Sequence, residues 1–235
     1  MMHRILRVVS ATLCAAALVS SAAAADVTFG NPFSNEANAF PFSGAYQFGE
    51  GATEYQQVYL GSQFGGPFSI GAVSFYNMNG VANQNADGTY ILSLSTTTAA
   101  VDGLDTNQAN NIGADNTVIF NGTLPATVPA NGLLTFTLST PFNFNPAGGN
   151  LLLDVKMSGV TAITSSSYAA QNGDFNGMSS RMVNGNALGT TGFGLVTTFT
   201  VGTAAVPEPT SLSLGAIGII IVAAAARKHR RHNAA

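Results

Sequence analysis

The amino-acid sequence predicts an all-β domain, an antiparallel two-sheet sandwich of jelly-roll type, and three observations carry that prediction. Apolar and polar residues alternate with period two in one segment after another, as they do in antiparallel strands with one face packed and one wet. Between those segments fall Asn79-Gly80, Asp87-Gly88, Asn121-Gly122, Asn131-Gly132, Asn172-Gly173 and Asn184-Gly185. Such dipeptides accept the left-handed backbone of tight turns. No stretch from Asp26 to Thr203 shows a helical face, and Ala99–Ala114 is too rich in Asn, Asp and Gly for one.

Taken in order, Gln56–Leu60 and Ile70–Asn77 are the first candidate strands. In Thr89–Ser95 the side chains of Tyr90, Leu92 and Leu94 point one way, those of Ser93 and Ser95 the other. Thr117–Gly122 follows, and Leu134–Ser139 alternates throughout. Leu151, Leu153, Val155 and Met157 alternate with Leu152, Asp154 and Lys156. Leu195, Thr197, Phe199 and Val201 repeat the pattern at the end. Seven to ten strands in one domain, residues 26–203, are expected. A β-solenoid would need a fixed-period repeat, and the sequence has none.

Charged residues make up only 8% of the chain, against about 25% in a typical soluble domain. Arg4 and Arg7 sit at the start and Arg227, Lys228, Arg230 and Arg231 at the end, leaving Lys156 and Arg181 between. Ten carboxylates oppose those two, so residues 26–206 carry a formal charge of −8. An acidic body with two scattered cations offers no groove that could track phosphates, which argues against nucleic acid as a partner. Cys14, His3, His229 and His232 also lie outside this region. The body therefore lacks cysteine nucleophiles, Cys/His zinc sites, a Ser-His-Asp triad and disulfides.

The two ends are more specific. Arg4 and Arg7, a 12-residue apolar run from Val8 to Val19, and Ser20–Ala25 have the form of a secretory signal peptide, residues 1–25. Cleavage is expected after Ala25, with Ala23 and Ala25 as the small pair. At the other end a linker, residues 204–211, carries Val206-Pro207-Glu208-Pro209. The uncharged stretch from Thr210 to Ala226 is 17 residues long, about 25 Å as a helix. That is the short end of what crosses a bilayer, and residues 212–226 are the expected transmembrane helix. Arg227, Lys228, Arg230 and Arg231 in the tail, residues 227–235, would stop transfer and keep it in the cytoplasm.

A Val-Pro-Glu-Pro element, a short apolar helix and an Arg-rich terminus in this order resemble the PEP-CTERM sorting signal of exopolysaccharide-producing Gram-negative bacteria. The resemblance covers roughly residues 206–231. It implies that exosortase, an integral membrane transpeptidase-like enzyme, recognises Pro207, Glu208 and Pro209 and processes the protein for the surface. The implied route runs from an inner-membrane-anchored precursor to the cell surface or extracellular matrix. The physical logic agrees: the prolines fix φ and push their predecessors into extended backbone, which a protease-like site needs.

The body itself holds few candidates for chemistry. Glu50 and Glu54 are four apart near Tyr55 and Tyr59; paired carboxylates serve glycosidases, but these two read as solvated turn residues. Asp102, Asp105 and Asp115 could offer oxygens to calcium, although Leu104 breaks the EF-hand pattern and the same aspartates suit turns. Phe33, Phe40, Phe42, Phe64, Phe68, Phe142 and Phe144 lie in connections rich in Gly, Pro and Asn, where they would either stack on sugars or plug the ends of the domain. Lys156 and Asp154 read as a wet-face pair. No catalytic, metal or cofactor residue is assigned. Three functions stay open: a non-catalytic surface or matrix protein, an exopolysaccharide-binding module assisted by calcium, and a hydrolase using carboxylates alone.

Overall fold

Every segment whose side chains alternate in polarity is wholly or largely strand in the computed structural model, which describes residues 25–33, 36–42, 53–77, 82–161, 168–171, 177–187 and 193–202. Among the described residues the strands are β1 (Val27–Phe29), β2 (Ala37–Asn38), β3 (Glu54–Tyr59), β4 (Phe68–Tyr76) and β5 (Asn83–Gln84). They continue with β6 (Thr89–Thr97), β7 (Thr117–Gly122), β8 (Thr127–Val128), β9 (Leu133–Phe144) and β10 (Asn150–Ser158). The last are β11 (Tyr168–Gln171), β12 (Ser179–Val183), β13 (Asn186–Ala187), β14 (Gly194–Leu195) and β15 (Thr197–Val201). The helical elements among these residues are single 3-10 turns at Gly61–Phe64, Gln108–Asn111 and Pro146–Gly148. The domain is all-β, and every strand pairing is antiparallel.

The fifteen strands among the described residues exceed the seven to ten expected because several connections form ladders of only two residues. The run Leu195–Val201 also breaks at Val196, whose N–H bonds the carbonyl of Ala169 at 2.9 Å and so joins a different sheet edge.

Two sheets hold most of the described strand residues. One has the order β1-β15-β4-β9, the other β13-β12-β3-β10-β6-β7. The pairings nest like one long folded hairpin: β1 with β15, β3 with β10, β4 with β9, and β6 with β7. The apolar positions of the two sheets meet in a single core. Tyr59 of the six-stranded sheet lies edge-on to Phe199 and Phe29 of the four-stranded one, with centroids 4.9 Å apart in both pairs. Phe120 and Phe136 make the same contact across the two sheets at 4.9 Å. Edge-to-face geometry suits the ring quadrupole and adds to the area buried. The buried Tyr59 hydroxyl is satisfied by Thr197 Oγ1 at 2.9 Å.

Six of the seven phenylalanines expected in connections plug this core: Phe40, Phe42, Phe64, Phe68, Phe142 and Phe144 are all buried, whereas Phe33 is 84% exposed; Phe68, Phe142 and Phe144 are in fact strand residues, of β4 and β9. Pro141 is tolerated inside β9 because that strand lies at a sheet edge, where a missing N–H costs no ladder bond. The register of β4 on β9 slips at Gly71, and a Cβ there would stand 2.5 Å from the Cα of Gly202. That close crossing admits only glycine.

The outer face of the six-stranded sheet departs from the expected pattern. Ser93, Ser95, Leu152 and Asp154 were the wet half of their strands by alternation, yet all four are buried. The segment 98–116 lies over them as a strap. Gly113 donates its N–H to Ser95 Oγ at 3.1 Å, and a Cβ on Gly113 would meet the Thr96 carbonyl oxygen at 1.8 Å. At its other end, Asp102 N–H bonds Ser180 Oγ at 2.7 Å.

Candidate functional site

Beneath the strap, β3 and β10 bring four polar side chains together. The register opposes Gln56 to Asp154 and Glu54 to Lys156, and Ser93 of β6 flanks Asp154 on its other side. Alternation along each strand then puts all of them on the outer face. Gln56 is the hub. Its Nε2 donates to Asp154 Oδ1 at 3.1 Å and to the Gln108 carbonyl at 3.0 Å, while its Oε1 accepts from Asn111 Nδ2 at 2.8 Å. Asn111 in turn donates to the Asp105 carbonyl at 2.9 Å and accepts the Asp105 N–H at 2.7 Å. Gln108 Oε1 accepts the Gly185 N–H at 2.8 Å.

Glu54, by its sequence setting a solvated turn residue, is the first residue of β3 and half-buried. It is hydrogen-bonded to Asp154, and Glu50 lies outside the described residues. Burial, then the hydrogen bond to Asp154 and the Asp154 charge, push the Glu54 carboxyl from 4.5 to about 7, with Lys156 pulling the other way. Near neutrality Glu54 is thus divided between its two forms, and the protonated form donates to the Asp154 carboxylate. Lys156 Nζ stands 3.9 Å from Asp154 Oδ2. The wet-face reading of that pair is corrected in one half only: the Lys156 side chain is 51% exposed but that of Asp154 only 3%.

This arrangement can take up and release one proton near pH 7. Two carboxyls in hydrogen-bond contact stand closer than the roughly 5–5.5 Å of retaining glycosidases, and far closer than the inverting ones.

The candidate calcium loop has its own occupants. Asp105 accepts from Asn110 Nδ2 at 2.9 Å and from the Asn107 N–H at 2.8 Å, and these bonds hold its carboxyl below the usual range. Asp115 accepts both the N–H and the hydroxyl of Thr96, at 2.7 and 2.6 Å. Asp102 sits in a left-handed turn at φ 64°. The aspartates fasten the strap to itself and to β6. Among the described residues no three His, Cys, Asp or Glu side chains form a group able to hold a metal ion.

Of the processing residues, only Ala25 is described, and it is exposed. Ala23, Val206, Pro207, Glu208, Pro209, Arg227, Lys228, Arg230 and Arg231 lie outside the described residues, as does the expected helix 212–226. Among the described residues no helix is long and apolar enough to cross a membrane.

Alternation alone missed the Gln56–Asp154 pair. The signal that could have found it is Val58, Leu152 and Met182. These apolar residues share its face and are fully or almost fully buried, so something had to cover that face. Comparison of the chain with protein-family models, with curated proteins and with solved structures finds no match.

Proposed function

We propose that the chain is an exported surface or matrix protein, sorted through its C-terminal signal by exosortase, with a non-catalytic β-sandwich of jelly-roll type displayed outside the cell. The observation that carries this reading is the order of pieces in the sequence. A signal peptide precedes the domain; behind it come Val206-Pro207-Glu208-Pro209, a 17-residue uncharged stretch and four cations within five residues. The first directs export, the apolar stretch and cations arrest the tail in the membrane, and the stiff proline element between presents an extended backbone to the processing enzyme.

The nested pairing supports the jelly-roll assignment. Counting β1, β3, β4, β6, β7, β9, β10 and β15 as first to eighth, the sheets run first-eighth-third-sixth and second-seventh-fourth-fifth. A long hairpin wound into two sheets gives this order, and double Greek-key jelly rolls have eight strands. The added β12 and β13 extend one edge.

Intact mass measured before and after export tests the sorting. The exported form is expected to have lost both residues 1–25 and the tail beyond the Pro-Glu-Pro element. Glu208→Ala should be exported yet stay membrane-bound, retaining its tail. Wild-type release of that variant in cells containing exosortase would reduce the tail to a plain anchor.

A further inference from the structure

The first and last strands of the domain pair with each other, and this fixes where both ends of the chain leave it. Val27 opposes Phe199 and Phe29 opposes Thr197 in an antiparallel ladder, so Asp26 comes to lie beside Val201. Its carboxylate accepts the Val201 N–H at 3.1 Å and the Thr200 hydroxyl at 3.4 Å. One residue on, the Gly202 N–H bonds the Ser69 carbonyl at 2.7 Å. Residues 26 and 202 are far apart in sequence and neighbours in space. Entry and exit share one pole, which also carries the turns at 60–67 and 145–149, because β4 begins there and β9 ends there. The opposite pole carries Pro129–Gly132, where the Gly132 carbonyl accepts the Asn77 N–H at 2.9 Å.

We infer that the pole joining Asp26 to Val201 and Gly202 is the one turned to the bilayer, so that both processing steps act there while the Pro129–Gly132 pole is displayed outward. The inference rests on the sorting reading, which supplies the membrane segment. Its force comes from length. Residues 203–211 span at most about 30 Å when fully extended, and the nine residues of β4 make the two poles about 30 Å apart. A domain turned over would use the whole linker merely to run back along its own side. Turned this way, it has slack for the enzyme to reach Pro207–Pro209.

The body's lack of cysteine makes the test clean. The full-length chain carrying Cys14→Ala, with either Ser62→Cys or Ala130→Cys, is labelled with a fluorophore and reconstituted in nanodiscs containing headgroup-quencher lipids. Both labelled positions are exposed, one at each pole. Quenching is expected to be several-fold stronger at position 62. Equal or reversed quenching in chains that do enter the discs overturns the orientation and leaves the anchor standing. Failure of the chain to enter the discs overturns the anchor reading, and the inference with it.

Discussion

The two faces of the six-stranded sheet are both buried over their middle but are held there by different contacts. Inward, Tyr55, Tyr59, Leu92 and Leu151 meet rings and aliphatic chains; outward, Gln56 and Ser95 bond the amides and backbone of the strap, and Gln56 in turn holds the buried Asp154. Apolar contact is non-directional and scales with area, so the inner face is held by many interchangeable neighbours. Polar burial is favourable only when each donor finds its acceptor. Segment 98–116 is poor in large apolar side chains, and the matched bonds of Gln56 and Asn111, with the Gln108 Oε1 bond to Gly185, are what fix its position. The inner face supplies stability; the outer face specifies where one loop lies.

The comparison breaks most visibly on the apolar side. Phe199→Ala removes a ring in contact with Phe29, Tyr59 and Phe64 and is expected to cost about 3–5 kcal/mol, read as a lower denaturation midpoint. Gln56→Ala should cost less, about 2 kcal/mol, because it takes one of two acceptors from the Asn111 amide and the amide donor from Asp154 Oδ1. Its signature differs in kind: amide exchange should accelerate in 98–116 while the inner strands stay protected. Uniform acceleration throughout the sheet would mean that the strap is no separate unit.

Much of the apolar side was legible in the sequence, since alternation is a local property and each long strand carries it. Thr117–Gly122 is a strand at its predicted bounds, and six of the seven phenylalanines expected in connections are buried, three of them on strands. The strap was not legible, because covering a face is a long-range event. Nothing local in Thr89–Ser95 says that Ser93 and Ser95 will be roofed by residues near 113. The carboxylate pair was missed for the same reason: Glu54 and Asp154 are a hundred residues apart in sequence, and only the β3–β10 register brings them together. Short ladders such as β5 with β8 carry too few residues for any periodicity.

A smaller effect sharpens the polar side through pH. The folded Glu54 carboxyl titrates at about 7 against 4.5 for the free side chain, so the native state holds this proton more tightly than the unfolded chain. Its contribution is complete below about pH 4.5, is lost as pH rises to about 7, and changes no further above. Glu54→Gln should remove that part of the slope: the thermal midpoint difference between pH 4.5 and pH 8 should be smaller than in the wild type. An unchanged difference would place the proton elsewhere.

The smallest expected effect belongs to Lys156, and its direction is the informative part. Its half-exposed ammonium reaches Asp154 at 3.9 Å, and such pairs contribute under about 1 kcal/mol; Lys156→Met should therefore barely move the denaturation midpoint. Lys156 also lowers the Glu54 titration, against the push from burial and from Asp154. Removing the cation leaves only terms that favour the protonated carboxyl, so Glu54 should titrate higher in Lys156→Met, followed through its carboxyl carbon by NMR. A midpoint that stays or falls would show that the ammonium is turned into solvent, and that Gln56 holds the buried Asp154 without it.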